Sequence, residues 1–140
     1  MQNLSLILAL GLALMVALVS AGRNQQYSVK GQIFCPSDPS RHKDVKIKLI
    51  DEDDGIDPDD TLAEGKSGAD GSFNLSGSEN ENTDIDPELK IYHNCDDGIK
   101  PCKRRIKIKL PKSYINQGVL DVGRINLQLE FTEEERDCIH

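Results

Sequence analysis

A row of cations stands out in the segment from Glu88 to Pro111, which reads ELKIYHNCDDGIKPCKRRIKIKLP. Between positions 103 and 109, every second residue is basic: Lys103, Arg105, Lys107 and Lys109. Side chains of a β-strand point alternately to opposite faces, so these four share one face. Because the formal net charge of the whole chain is -7, this local excess of positive charge indicates a surface that binds anionic groups.

The same segment predicts a β-hairpin whose two arms meet at a turn between two cysteines. One parity of the first arm carries Leu89, Ile91, His93 and Cys95, and one parity of the second carries Cys102, Arg104, Ile106, Ile108 and Leu110. A period of two is typical of strands with one buried face. The row of cations therefore lies on the opposite, solvent-facing side of the second arm.

The first residues of the chain have the pattern of a secretory signal. Residues 1–21 contain no charged side chain, are mostly apolar from Leu4 to Val19 and end at Ala21 with small residues. This pattern predicts cleavage after Ala21 and export of the remaining chain. Residues 22–140 are long enough for one domain with a single core.

Four cysteines within residues 22–140 predict two disulfides, because exported proteins fold in an oxidising compartment. Three pairings are open to Cys35, Cys95, Cys102 and Cys138. We expect Cys95 to pair with Cys102, since they flank a short turn, and Cys35 to pair with Cys138, which would close a long loop. A zinc site would favour cysteines at C-x2-C spacing, which the sequence lacks, so we predict neither a metal nor a cofactor.

Short alternating runs separated by Gly, Pro, Asp and Asn predict an all-β fold, a seven-stranded antiparallel β-sandwich with two disulfides. The predicted strands are Tyr27–Cys35, Val45–Leu49, Thr61–Lys66, Gly71–Ser76, the two hairpin arms and Val122–Phe131. On the last strand, the inward parity holds Ile125, Leu127, Leu129 and Phe131. The third strand is weakly patterned and is expected at a sheet edge.

Several motifs of this chain occur together in one known family. They are Val29-Lys30-Gly31-Gln32 before a strand cysteine, Gly71-Ser72-Phe73, Ile85-Asp86-Pro87, the loop from Cys95 to Cys102, and Gly123-Arg124-Ile125-Asn126-Leu127. In this combination, the chain resembles the secreted transthyretin-like family of nematodes over essentially all of residues 22–140. The resemblance implies a Greek-key, prealbumin-like β-sandwich, an extracellular location and a non-catalytic binding role. It also implies that the second, fifth and sixth strands are neighbours in one sheet.

The implied strand order extends the row of cations into a candidate binding face. Its members are Lys46, Lys48, Lys90, Tyr92, Lys103, Arg105, Lys107 and Lys109. This face predicts a secreted binding or adaptor protein that engages anionic cell-surface ligands, namely phospholipid headgroups or glycans, a protein receptor, or both. Protection against strand-to-strand aggregation by exposed lysines is the alternative explanation. Net negative charge and export argue against nucleic acid as a partner.

Two other functions stay open alongside this one. A carrier of a small apolar ligand would need an enclosed cavity or an oligomer channel. The prealbumin fold also hosts hydrolases of 5-hydroxyisourate, but those enzymes have a His in the first strand and a Tyr-Arg-Gly-Ser terminus, whereas this chain has Ser28–Gln32 and Asp137–His140. His93, on the inward parity, is expected to be structural, so we predict no enzymatic activity.

The resemblance also bears on assembly. Transthyretins have a helix where this chain has its cysteine loop, and no eighth strand is predicted here. Both differences argue against the hormone-binding tetramer, and we predict a monomer or a weak dimer.

Two acidic segments and one asparagine complete the candidates. The run from Asp51 to Asp60 is rich in carboxylates but lacks the EF-hand spacing, so we expect a solvated acidic turn rather than a calcium site. Residues Glu133–Asp137 are likewise expected to be a solvated end. Asn74 begins an N-glycosylation sequon and alternates with the inward Phe73 and Leu75, so we expect it to face solvent as a possible glycan site.

Overall fold

Eight β-strands and two short 3-10 helices are formed by residues 22–53 and 59–140, the part of the chain that the computed structural model describes. The strands are β1 (Arg23–Phe34), β2 (Lys46–Asp51), β3 (Asp60–Lys66), β4 (Ser72–Glu81), β5 (Pro87–His93), β6 (Lys103–Lys109), β7 (Leu120–Asn126) and β8 (Glu134–Asp137). The 3-10 helices span Pro39–His42 and Lys112–Tyr114. The predicted signal, residues 1–21, lies outside the described residues. Within them, no helix is long and apolar enough to cross a membrane.

The strands form two sheets, in the orders β4-β1-β7 and β3-β2-β5-β6-β8. Neighbouring strands are antiparallel, except that β1 and β7 are parallel. The predicted all-β sandwich with two disulfides is confirmed, with eight strands in the described residues instead of seven. β3 lies at a sheet edge, as its weak pattern predicted.

The additional strand, β8, contains three acidic residues and Arg136, which were expected to be a solvated end but instead pair with β6 as a strand. All four of its residues are charged, so they show no apolar alternation. Pairing with β8 covers the otherwise open edge of β6. Two adjacent arginines of β6 also bind its carboxylates, with Arg104 contacting Glu134 at 2.7 Å and Arg105 contacting Glu135 at 2.5 Å.

β7 is shorter than predicted because the chain turns at its last residue, Asn126. The side-chain oxygen of Asn126 accepts a hydrogen bond from the backbone N–H of Gln128 at 3.0 Å, a local bond that favours turns. Leu127 is still buried, but Leu129 is 57% exposed. The prediction that Leu129 faces the core is therefore wrong.

The core lies between the two sheets and contains most of the side chains that were predicted to face inward. The buried positions include Tyr27, Val29 and Ile33 on β1, Ile47 and Leu49 on β2, Phe73 and Leu75 on β4, Leu89 and Ile91 on β5, and Ile106 on β6. A slip of one residue in any of these strands would turn its apolar side chains to solvent. Burial of this core therefore also fixes which side chains point outward.

The predicted cysteine pairing is wrong, since Cys35 bonds to Cys95 and Cys102 bonds to Cys138. Cys95 is on the inward parity of β5, and the ladder between β5 and β6 ends before it, at His93. Cys95 therefore meets Cys35, which follows β1 in the opposite sheet, with their Cα atoms 5.7 Å apart. Both cysteines are buried, and their bond joins the two sheets through the core.

The second disulfide follows from the position of β8. Lys103 of β6 is paired with Asp137 of β8. One residue further along the same antiparallel ladder, Cys102 and Cys138 face each other, with their Cα atoms 4.3 Å apart. This bond fastens β8 to the sheet edge, so the pairing could not be inferred without the strand.

Candidate anion-binding face

The predicted binding residues lie together on the outer face of the five-stranded sheet, and we call these eight residues the basic face. β2, β5 and β6 are adjacent, as the resemblance implied. Their register aligns one row across the three strands, formed by Lys48, Lys90 and Lys107, and a second row, formed by Lys46, Tyr92 and Arg105. Lys109 lies opposite Glu88, and Lys103 lies opposite Asp137.

Carboxylates from other segments neutralise part of the basic face. The ion pairs are Lys46–Glu64 (3.0 Å), Lys90–Asp59 (2.7 Å), Lys107–Glu52 (3.5 Å), Arg105–Glu135 (2.5 Å) and Arg105–Asp137 (3.1 Å). Adjacent strands are about 4.8 Å apart, so directly opposed like charges repel one another. The carboxylates relieve this repulsion, and the hydrogen bond from Lys46 lowers the pKa of Glu64.

The acidic loop between β2 and β3 contacts the basic face instead of remaining in solvent. Glu52 and Asp59, at the two described ends of the loop, supply two of the carboxylates just named. Glu52 also lies against the buried Glu88, where burial and then the hydrogen bond with Glu52 raise the pKa of Glu88 to about 7. The expectation of a solvated turn is wrong for these two ends, and residues 54–58 lie outside the described part.

Three lysines of the basic face, Lys48, Lys103 and Lys109, form no ion pair within the described residues. The Nζ atom of Lys48 lies 5.4 Å from the ring centroid of Tyr92, in a cation–π contact. Tyr92 is only 3% exposed, and the ring of His140 stacks on it with a centroid separation of 5.1 Å. Tyr92 is therefore covered by Lys48 and His140 and is not itself accessible to a ligand. The three lysines remain available to a ligand.

A second polar surface, which the sequence interpretation missed, lies on the outer face of the three-stranded sheet. It is an open groove of about 560 Å³ whose lining includes Lys30, Gln32, Asn74 and Arg124. The strands are closely packed at Gly31 in its lining, because a Cβ atom there would lie 2.7 Å from the side chain of Val122. The outward parity of Lys30 and Gln32 was a usable signal, and Asn74 is exposed, as its own parity predicted.

His93, the histidine considered for catalysis, lies in the core rather than in an open cleft. Its side chain is buried, and its Nδ1 atom accepts a hydrogen bond from the backbone N–H of Cys95 at 3.0 Å. Burial, with a further contribution from the nearby Arg104 charge, lowers the pKa of His93 to about 3. A neutral, inaccessible imidazole with a backbone partner is typical of a structural residue.

Acidification is expected to destabilise the native protein relative to a His93→Asn variant, in which the amide oxygen replaces Nδ1 as acceptor. In the unfolded chain His93 titrates near 6.5, whereas its folded pKa is about 3, so between these pH values unfolding takes up a proton. This part of the stability is intact above about pH 6.5 and falls by about 2 kcal/mol at pH 5. Urea unfolding of both proteins from pH 8 to pH 5 measures the difference, and parallel pH profiles would contradict it.

Comparison with known proteins assigns this chain to a family. The model of the Transthyretin-like family matches residues 30–111, which is more than half of the chain. The chain belongs to the transthyretin-like family. It is 48% identical to Transthyretin-like protein 5 of Caenorhabditis elegans over 124 residues, covering 85% of this chain and 88% of that protein. It is 46% identical to Transthyretin-like protein 33 of the same organism over 121 residues, covering 83% of each.

One solved structure has a weak likeness to this transthyretin-like chain. It is a 9R-lipoxygenase from Cyanothece PCC8801, with a TM-score of 0.48 and 21% identity. The match covers 74% of this chain but 16% of the lipoxygenase, and no conclusion rests on it. The names of the curated relatives denote family membership and no catalytic activity. Two disulfides in a transthyretin-like chain are typical of an extracellular protein.

Proposed function

We propose that this chain is a secreted, non-catalytic binding protein whose basic face engages anionic phospholipid headgroups on cell surfaces. The observation that carries the proposal is that Lys48, Lys103 and Lys109, on one sheet face, form no ion pair with any residue that the structure describes. Near an anionic membrane each such cation contributes about 1 kcal/mol. Three of them therefore support weak, salt-dependent binding that increases with the density of anionic lipid.

The paired cations add to this binding when lipid phosphates replace their carboxylates. The loop residues Asp59 and Glu52 hold Lys90 and Lys107. The side chains of Lys90 and Lys107 are only 14% and 21% exposed, so a dense array of phosphates competes with these carboxylates only in part. An extended sheet face suits a broad anionic surface, and sulfated glycans are a second class of ligand that presents the same charges.

The alternative of a carrier for a small apolar ligand has less support. The space between the sheets is filled by the buried apolar side chains of the core. The groove on the three-stranded sheet is open and has a largely polar lining. It is instead a surface on which an adaptor could contact a protein receptor while the basic face contacts lipid.

Charge reversal of the three unpaired lysines, as Lys48→Glu, Lys103→Glu and Lys109→Glu, is expected to reduce vesicle binding by about tenfold or more at low salt. The measurement is co-sedimentation with phosphatidylcholine vesicles that contain or lack phosphatidylserine. The native protein should bind only the anionic vesicles, and less at about 0.15 M salt. Absence of binding at low salt, or unchanged binding by the variant, would overturn the proposal.

A matched variant, Lys30→Glu, Lys43→Glu and Arg124→Glu, changes the net charge equally on surfaces outside the basic face. It should bind within about threefold of the native protein, because its basic face is intact. If it loses binding instead, the anion site lies outside the basic face. In the opposite direction, Asp59→Asn should increase binding because it frees Lys90. Competition by soluble heparin tests whether glycans use the same face.

A further inference from the structure

Four carboxylates lie together at one end of the sandwich, and three of them occupy inward-facing positions that normally belong to the apolar core. They are Asp51, Asp60, Glu79 and Glu81, and one potential ligand atom from each lies within 4.8 Å of the others. Asp51 ends β2, and Asp60, directly opposite in the ladder, begins β3. Glu79 and Glu81 are on β4, in the other sheet. The cluster therefore lies where the edges of the two sheets meet.

The positions of these carboxylates follow from the strand pattern. Glu79 and Glu81 continue the inward parity of Phe73 and Leu75 along β4. Asp51 continues the inward parity of β2 in the same way. β3 and β4 approach closely because residue 77 is glycine, where a Cβ atom would lie 2.1 Å from a backbone oxygen of β3.

Asp51 shows that this is more than a group of exposed acids. Its side chain is 1% exposed. Its Oδ1 atom accepts a hydrogen bond from the backbone N–H of Asp86 at 2.7 Å, but its buried Oδ2 atom has no donor in the described residues. The buried Oε2 atom of Glu79 likewise has none. Buried carboxylate oxygens without partners are costly, so the arrangement favours a ligand that binds these oxygens.

The surrounding residues do not supply that charge. Within the described chain, no lysine, arginine or histidine forms an ion pair with any of the four carboxylates. Lys112 pairs with Asp86, outside the cluster, at 2.9 Å, and Asp53 adds negative charge close to Glu81. Burial and the adjacent carboxylates raise the pKa of Glu79 to about 9. A cation bound among the four carboxylates would supply the positive charge that the side chains of the described residues do not.

We propose that Asp51, Asp60, Glu79 and Glu81 form a calcium site that joins the two sheets. Calcium takes six to eight oxygen ligands, and four carboxylates that bind through one or both oxygens supply four to eight. The cluster contains neither histidine nor cysteine, which zinc and copper prefer. Extracellular calcium sites bind with dissociation constants of about 0.1–1 mM. The ion lies at the end of the sandwich opposite the Cys35–Cys95 bond, so the two links hold both ends.

Calcium is expected to raise the melting temperature of the full protein by about 5 °C at about 2 mM CaCl2 relative to EDTA. Magnesium should have a smaller effect, because it gives up its water ligands reluctantly. Isothermal titration with calcium should show one ion per chain. Absence of both the melting shift and the binding heat would overturn the proposal.

The Glu79→Gln variant distinguishes two ways of neutralising the carboxylate cluster, by a calcium ion and by a bound proton. In EDTA it should be as stable as the native protein or more stable, because a charge repulsion is removed. Its calcium affinity should fall about tenfold or more, and Asp60→Asn, at an exposed ligand, should act similarly. The exposed Glu130→Gln, outside the cluster, is the control and should leave the affinity unchanged. If calcium has no effect and native stability in EDTA only falls as pH rises towards 10, a proton occupies the site and the proposal is wrong.

Discussion

Replacing Cys35 and Cys95 together by alanine is expected to lower the free energy of unfolding by about 4 kcal/mol. The bond closes a loop of 60 residues in sequence, and cross-linking a loop of that length restricts the unfolded chain by about this amount. It also joins the two sheets through the buried core. For a domain of this size, such a loss leaves the folded state only marginally stable.

Urea unfolding of the double variant measures this loss, and a Cys102→Ala, Cys138→Ala variant is the matched comparison. The second bond holds β8, a strand of four residues at the edge of the sheet. Its removal should release β8 locally, which is seen as faster amide exchange in that strand. The free energy of global unfolding should fall by less than in the first variant, by about 2 kcal/mol. Non-reducing peptide mapping should find Cys35 linked to Cys95. A peptide that links Cys95 to Cys102 would contradict the connectivity on which both expectations depend.

The alternation of apolar residues was sufficient to predict the sandwich and most of its inward side chains. On β1, for example, the buried residues are Tyr27, Val29 and Ile33. A strand with one buried face must turn its apolar parity towards the core, because a shift of one residue would expose all of these side chains. β8 could not be predicted in this way, because its stability depends on the edge of β6 and on two arginines. The cysteine pairing was missed for the same reason, since Cys138 is brought to Cys102 by that strand.

The basic face shows the same limit. Parity identified its cations, because they alternate with core residues on the same strands. Their carboxylate partners come from β3, β8 and the acidic loop, and only tertiary structure brings these segments together. The acidic cluster did leave a signal, since Glu79 and Glu81 continue the inward parity of Leu75. It was missed because the fourth strand was predicted to end at Ser76, whereas β4 continues to Glu81.

Arg104→Met is expected to lower the free energy of unfolding by about 3–4 kcal/mol, because the arginine links four segments inside the protein. Its side chain is on the inward parity of β6 and is 6% exposed. The guanidinium donates hydrogen bonds to the backbone oxygens of Cys95 (2.8 Å), Leu127 (3.1 Å) and Leu129 (3.0 Å), and to Glu134 (2.7 Å). Methionine keeps much of the volume but leaves three carbonyls and one mostly buried carboxylate without a donor.

Arg105→Met is the matched control, since Arg105 is the next residue but points to the outer face. Its pair with Glu135 is exposed and its pair with Asp137 is mostly buried, but within the described residues its side chain donates hydrogen bonds to these two carboxylates and to no backbone carbonyl, so its replacement should cost less, about 2 kcal/mol. A double variant, Arg104→Met with Glu134→Gln, should be more stable than the sum of the single changes predicts, because it does not leave the carboxylate charge unpaired. Urea unfolding of all four proteins measures these differences. Equal losses of unfolding free energy for Arg104→Met and Arg105→Met would show that Arg104 does not join β6, β8 and the two loops. If the effects of Arg104→Met and Glu134→Gln simply add in the double variant, Arg104 and Glu134 are not coupled.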